Sequence, residues 1–289
     1  MKARKIREIL LSYLFLFCAL AGAAGVLLIF IFVGVQGFPI LQRVGVVDFL
    51  LSSDWLPTRG HFGILPMIMG TLAVTLGALI LGAPLGIATA IFMAEVAPDQ
   101  MRRILRPVVE LLAGIPSVVY GFLGIVLLIP WINKIDGPNY SGFGILTASL
   151  ILTVMILPTI VNIAEDAIRA VPQEYRDASF ALAATHWQTI RGTVLPAARS
   201  GIFTSIILGM GRAIGETMAV LMVIGNPAII PKSIFSPAAS LTSIIVLDMS
   251  YASGDHRTAL FAIGIVLFAI TITLIALAYR FSSDGGRTR

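Results

Sequence analysis

Two residues of opposite full charge, Arg212 and Glu216, stand inside GMGRAIGETMAV at 209–220, among side chains that are otherwise apolar or small. Four positions apart on a helix, they would lie about 6 Å apart along the axis and on one face. An arginine at the middle of a membrane-spanning helix costs about 2.5–3.5 kcal/mol on translocon scales, which makes it a functional candidate. Its guanidinium presents five N–H donors in a fixed fork and suits a tetrahedral oxyanion better than an uncharged solute. The glutamate can occupy the arginine while no anion is present. It can also accept from a proton-bearing oxygen, which phosphate keeps at neutral pH and sulfate does not. The alternative is a structural ion pair. Arg before Glu is the weaker i,i+4 order, and a pair that only held helices together is replaceable by apolar packing. Gly211, Gly215 and Ala219 recur every four residues beside the charges, a stripe along which another helix can approach closely. The pattern predicts a helix–helix seam or a polar pathway for Arg212 and Glu216.

Other chemistry is thin. His61, His186 and His256 lie far apart without ligand spacing such as HxxxH, so no metal site is expected. The single cysteine, Cys18, sits in an apolar run and excludes an intrachain disulfide. A phosphate-binding loop requires GxxxxGK[ST]; Lys232-Ser233 follows Pro231 and lacks the glycine frame. The chain is therefore not expected to be an enzyme, to hydrolyse ATP or to hold a cofactor. An intramembrane enzyme would need a nucleophile and a base on facing spans, and no intramembrane His or paired Asp supplies them. Glu110 reads as a salt-bridge partner of nearby arginines. Pro116-Ser117 reads equally as a plain kink or as a freed carbonyl lining a pathway, and Pro158 with Asn162 carries the same ambiguity.

The elements that must position these residues are membrane helices. Of 289 residues, 57% are hydrophobic and 12% charged, against about a quarter charged in soluble domains. Six spans are expected, at 10–35, 67–95, 107–131, 142–164, 200–225 and 258–280. Together they make an all-α transmembrane domain over 10–280, with tails at 1–9 and 281–289. The basic start resembles a secretory signal, but its apolar run of about 26 residues favours a retained helix. Gly82 and Pro84 predict a bend in the second span, and 62–66 an interfacial piece. SLTSIIVLDM, 240–249, is too short to span and reads as interfacial or re-entrant. Fourteen of the 20 lysines and arginines fall in the two tails, with Arg280 at the edge of the last span counted among them, and in the loops near 96–106 and 165–199; five fall on the other side. By the positive-inside rule both termini are cytoplasmic. The net charge of +5 then records topology, with no basic stripe to suggest a nucleic-acid partner. Trp55, Trp131 and Trp187 fall near expected interfaces, although Trp187 also suits a protein contact. The external stretch 48–63 reads as a cap on its span or as a contact for a solute-binding protein.

The loop 165–199 is ordered in character. Pro172 can open a helix that runs from Gln173 to Ala184, with a second short helix over 186–192. Such a helix docks into a partner's groove or lies on the bilayer. Its stretch DASFALAATHWQTIRGTVLP resembles the EAA loop of bacterial ABC-importer permeases. Asp177, Ala178 and Ser179 take the first three places, Ala183 the glycine and Thr193 the isoleucine, while Leu195 and Pro196 match outright. The loss of the glycine implies a stiffer turn. The resemblance implies that Glu174, Tyr175, Asp177, Ala178 and Ala183 dock on an ATPase subunit, where ATP and Mg would bind, and carry its movement into the membrane.

GRAIGETMAVLMVIGN, 211–226, with LAGIPSVVYGF, 112–122, narrows the likeness. These segments resemble the C-type permeases of the phosphate-specific (Pst) ABC importers, and the likeness extends over roughly 60–280. It implies a six-helix, MetI-like permease fold in a bacterial inner membrane, with Arg212 and Glu216 implicated in phosphate passage. The implied partners are a PstA-type permease, two PstB-type ATPases and a periplasmic PstS-type phosphate-binding protein, besides membrane lipid and phosphate itself. Rival readings are a permease for another oxyanion, such as sulfate or phosphonate, and a passive anion channel.

Overall fold

In the computed structural model, which describes residues 2–136 and 141–284, six helices are long and apolar enough to cross a membrane. They cover Leu10–Val44, Leu65–Val96, Ser117–Lys134, Ile145–Arg169, His186–Gly215 and Gly254–Arg280. The tail residues 285–289 lie outside the described residues. The first span belongs to α1 (Lys2–Val44), which the short α2 (Val46–Leu51) follows. A small antiparallel hairpin of β1 (Trp55–Leu56) and β2 (His61–Phe62) turns at Gly60, whose φ of +78° is left-handed. The second span is α3 (Leu65–Ile91) with a π turn at Phe92–Val96. Next come α4 (Asp99–Gly114), α5 (Ser117–Leu123), a second π turn and α6 (Ile129–Asp136). α7 (Ile145–Arg169) is followed by the short α8 (Gln173–Ala181) and α9 (His186–Thr189). A third π turn, Ile190–Val194, joins α9 to α10 (Leu195–Gly215). The chain ends with α11 (Met218–Val223), α12 (Leu241–Met249) and α13 (Gly254–Asp284).

α7 is the central post. Lipid is as apolar as leucine, so close packing rather than water exclusion must hold helices against it. Ile160, fully buried on α7, fills the space left by Gly86 of α3 and Gly209 of α10. A Cβ on Gly86 would fall 2.7 Å from Ile160 Cγ2, and one on Gly82 2.8 Å from Ile156 Cδ1. Gly82 thus serves close approach. A second core gathers Ile40, Phe49, Ile64, Met67, Leu241 and Ile263 where α1, the hairpin, α12 and α13 meet. The piece at 62–66, expected at an interface, buries Phe62 and Ile64 here.

Asp248, at the end of α12, draws this hairpin end together. It accepts hydrogen bonds from Trp55 Nε1 (3.3 Å) and the Tyr251 hydroxyl, and pairs with His256 Nε2 at 3.1 Å. The bond to Asp248, then burial, raises the Tyr251 phenol above its ordinary pKa.

Several sequence expectations need correction. The third span begins at Ser117, not 107, because Pro116 disfavours helix at Ile115, whose ψ is 127°. Residues 107–114 instead finish α4, an amphipathic helix with no buried residue. Glu110 lies there, exposed, 3.2 Å from Arg106. The fifth helix runs from His186 to Gly215 and stops well short of 225. The second short helix expected at 186–192 is therefore its first turns. Residues 165–169 finish α7, and α8 ends at Ala181 rather than Ala184.

Candidate functional site

Gly215 ends α10. Glycine is a poor helix former and Thr217 is β-branched, and Glu216 between them is extended (φ −67°, ψ 131°). Arg212 is thereby left in the last helical turn, where its charge complements the unsatisfied carbonyls. Its Nη1 donates to the Thr159 hydroxyl of α7 at 3.2 Å. Glu216 turns the other way. Its Oε1 accepts from the backbone amide of Ala219 at 3.3 Å, satisfying a free N–H at the start of α11.

The break overturns two expectations from spacing. Among the described residues, no ion pair within 4 Å joins Arg212 to Glu216. The stripe of Gly211, Gly215 and Ala219 is also interrupted: a Cβ on Gly215 would meet nothing within 4 Å, whereas Ala219 is fully buried. Beyond Thr159, no hydrogen-bond partner of the Arg212 guanidinium is found among the described residues.

Three helix interruptions meet here. α5, which follows the break at Pro116, packs on α11; a Cβ on Gly121 would fall 3.2 Å from Ala219 Cα. Tyr120 donates to the Leu112 carbonyl at 2.7 Å, closing one backbone group near that break. α12 starts beside Glu216, whose carbonyl accepts from the Thr242 hydroxyl at 3.0 Å, and runs on to Asp248 near its end. Its first amides are capped by Ser240 and by Thr71 of α3. The segment 240–249 is thus a short helix whose first turn is buried beside Glu216. Irregular backbone at membrane depth is tolerated where it is buried in protein or lines a water-filled cavity.

At the arginine-rich end, α8 projects between α7 and α9. Glu174, Tyr175, Asp177, Ala178 and Ala183 are all exposed, as are the apolar side chains of Phe180, Leu182 and Trp187. Ala183 has φ +60°, the left-handed conformation that glycine adopts freely. The segment is fastened from beneath by Arg176. Its Nη2 lies 2.6 Å from Glu95 Oε1 in the π turn after α3, and it also donates to the carbonyls of Ile168 and Val171.

A family model described as "Binding-protein-dependent transport system inner membrane component" matches residues 82–284. The chain belongs to this family of transport permeases. The "Probable ABC transporter permease protein YqgH" of Bacillus subtilis is 44% identical, over 92% of this chain and 88% of its own. The "Phosphate transport system permease protein PstC" of Mesorhizobium japonicum is 38% identical, over 80% and 76%. That of Xylella fastidiosa is 32% identical, over 95% and 91%. Among solved structures, an inward-facing MetNI methionine ABC transporter covers 78% of this chain and 96% of its own, at TM-score 0.63 and 20% identity.

This permease is thus a multi-pass, all-α membrane protein with a MetI-like fold. Sequence reasoning singled out Arg212, Glu216 and the α8 segment but missed Thr159, Glu95 and Thr71. Thr159 follows Pro158 in the fourth span, a position already marked as ambiguous. Glu95 was passed over as the last residue of an apolar span, although a carboxylate at that point has the same claim to attention as Arg212.

Proposed function

We propose that this permease is the C-type subunit of an ATP-driven importer and forms half of a translocation pathway for inorganic phosphate. One observation carries the reading: at a helix break in the membrane, the Arg212 guanidinium is held by a neutral hydroxyl and has no carboxylate partner among the described residues. Its remaining donors suit a tetrahedral oxyanion. A single cation without a deep cage also allows the release that conduction requires. The named phosphate permeases among its relatives support the choice of phosphate.

On this reading both termini face the cytoplasm and the membrane is the bacterial inner membrane. A PstA-type permease completes the pathway, a PstS-type binding protein delivers phosphate, and two PstB-type ATPases bind ATP and Mg. The exposed Glu174, Tyr175, Asp177, Ala178 and Ala183 form the ATPase platform, to which Phe180, Leu182 and Trp187 add apolar surface. Nucleotide-driven closure moves α8, and the spans swing between outward and inward access. Glu216, anchored on Ala219, is released to contact the protonated phosphate oxygen as the break rearranges.

The test is radiolabelled phosphate uptake by cells carrying Arg212→Ala or Glu216→Ala, with membrane expression verified. Loss of the charge-assisted contact is expected to cut uptake by Arg212→Ala about a hundredfold. Normal uptake by both variants would return the two residues to a structural role. Competition by sulfate and phosphonate in the same assay separates phosphate from the rival oxyanions.

A further inference from the structure

The fastening beneath α8 is part of a longer line of contacts. Arg176 closes on Glu95 at 2.6 Å, with the two side chains 13% and 7% exposed. The π turn that carries Glu95 is gripped by its backbone as well. His186 Nε2 pairs with the Glu95 carbonyl at 3.1 Å, and Arg102 donates to the carbonyls of Met93 and Ala94. Phe180 of α8 stacks on the His186 ring, and Ser179 bonds Thr189 at 2.9 Å. α8 and α9 therefore hold the end of the second span as one block.

At the other end of that span, Thr71 is buried and its hydroxyl accepts from the Leu241 amide at 3.0 Å, at the first turn of α12. The next residue, Thr242, donates to the Glu216 carbonyl. Glu95 and Thr71 stand 24 residues apart on the second span, a separation of about 36 Å at helical rise. Pro84 lies within α3 and Glu95 in the π turn that follows it, but close packing of Gly77, Gly82 and Gly86 against α7 leaves the span little room to flex, and a span joined at both ends by specific contacts can act as a strut. The alternative route is α10 itself, the covalent continuation of α9. That helix carries Arg212 and ends at Gly215, so it reaches the break from one side only, whereas the second span reaches it through α12.

We propose that the second span is the strut that carries movement of the α8 segment to the helix break at Glu216. Glu95 and Thr71 are its two joints. This rests on the reading that an ATPase docks on α8. Neither joint touches the transported anion; both act by positioning the break that presents Arg212.

The test uses the whole importer, reconstituted in proteoliposomes with its partner permease, ATPase and binding protein. Phosphate imported per ATP hydrolysed is measured for Glu95→Gln, Thr71→Val and the double variant. Each single change is expected to lower that ratio about tenfold, with ATPase association and ATP turnover retained. Residues of one strut act as a unit, so the double variant should be no worse than the weaker single one. Glu95→Asp, which keeps the ion pair, should recover most of the ratio. Multiplying effects in the double variant, or an unchanged ratio in both singles, would overturn the strut while leaving phosphate import intact. If Glu95→Gln fails to assemble, Thr71→Val, remote from α8, decides alone: a wild-type ratio overturns the proposal. A wild-type complex that imports no phosphate would overturn the functional reading and the strut together.

Discussion

Two arginine–glutamate combinations in this permease invert what their sequence spacing implies. Arg212 and Glu216 stand four residues apart and do not pair. Arg176 and Glu95 stand 81 residues apart and form an ion pair at 2.6 Å. The i,i+4 rule presumes a helix that continues between the two positions. Gly215 ends it, and each charge then finds the helix terminus beside it: Arg212 the carboxyl end of α10, Glu216 an amide of α11. At the arginine-rich end the two residues come from separate elements, and the packing of α3, α7 and α8 brings them together. The open combination leaves a cation able to meet a transient anion. The closed one commits its guanidinium to Glu95 and to the carbonyls of Ile168 and Val171, and so ties α8 to the π turn after α3.

Stability separates the two most widely. Arg176→Met leaves the Glu95 carboxylate largely buried without its partner, and removing one member of a buried pair costs about 3–5 kcal/mol. Thermal unfolding in detergent should show a large drop, with part of it recovered when Glu95→Leu is added. Arg212→Met should cost under about 1 kcal/mol, since an exposed guanidinium with one neutral partner contributes little to stability, while cutting phosphate uptake about a hundredfold. Equal melting of the two variants would erase the distinction between a buried ion pair and an exposed cation held by one hydroxyl.

Glu216 provides the next contrast. As a cap on the Ala219 amide, it needs an oxygen at that place more than a charge. Glu216→Gln keeps the acceptor and should stay within about 0.5 kcal/mol of wild type, whereas Glu216→Ala should cost about 1 kcal/mol, as for other lost caps. Phosphate uptake discriminates further: Gln cannot accept through a charged oxygen, and uptake should fall more than stability does. If Gln and Ala unfold alike, the charge itself matters, and pairing with Arg212 becomes the better account of the resting site.

The fold was legible in sequence where the signal is local and strongly apolar. Six hydrophobic runs gave six spans, and Pro172 marked the start of α8. What escaped depended on contacts between distant segments or on breaks within an apolar run. The apolar run resumes at Met218 directly beyond Glu216-Thr217, so the fifth span reads through its own terminus. The third span absorbed the last half of α4 because Val108, Val109, Leu111 and Leu112 are as apolar as lipid-facing residues. Arg176 was legible as a positive charge and Glu95 as the end of a span. No spacing rule connects positions 81 apart, and nothing local shows Thr71 reaching Leu241 or Thr159 reaching Arg212.

The smallest expected effect sharpens the role of the α8 platform. Ala183 takes φ +60° where the pattern of EAA loops has glycine, and a left-handed alanine costs about 1 kcal/mol. Ala183→Gly relieves that strain, but glycine gives back part of the gain through its greater freedom in the unfolded chain. A net stabilisation of about 0.5 kcal/mol is expected in detergent unfolding. Transport should barely respond if Arg176 fixes the platform from beneath, because the turn at Ala183 lies beyond that joint on the exposed side of α8. Phosphate imported per ATP should therefore match wild type. A lower ratio in Ala183→Gly would mean that the stiff turn itself carries load, and the ion pair to Glu95 would then share the movement with the α8–α9 hinge rather than receive it whole.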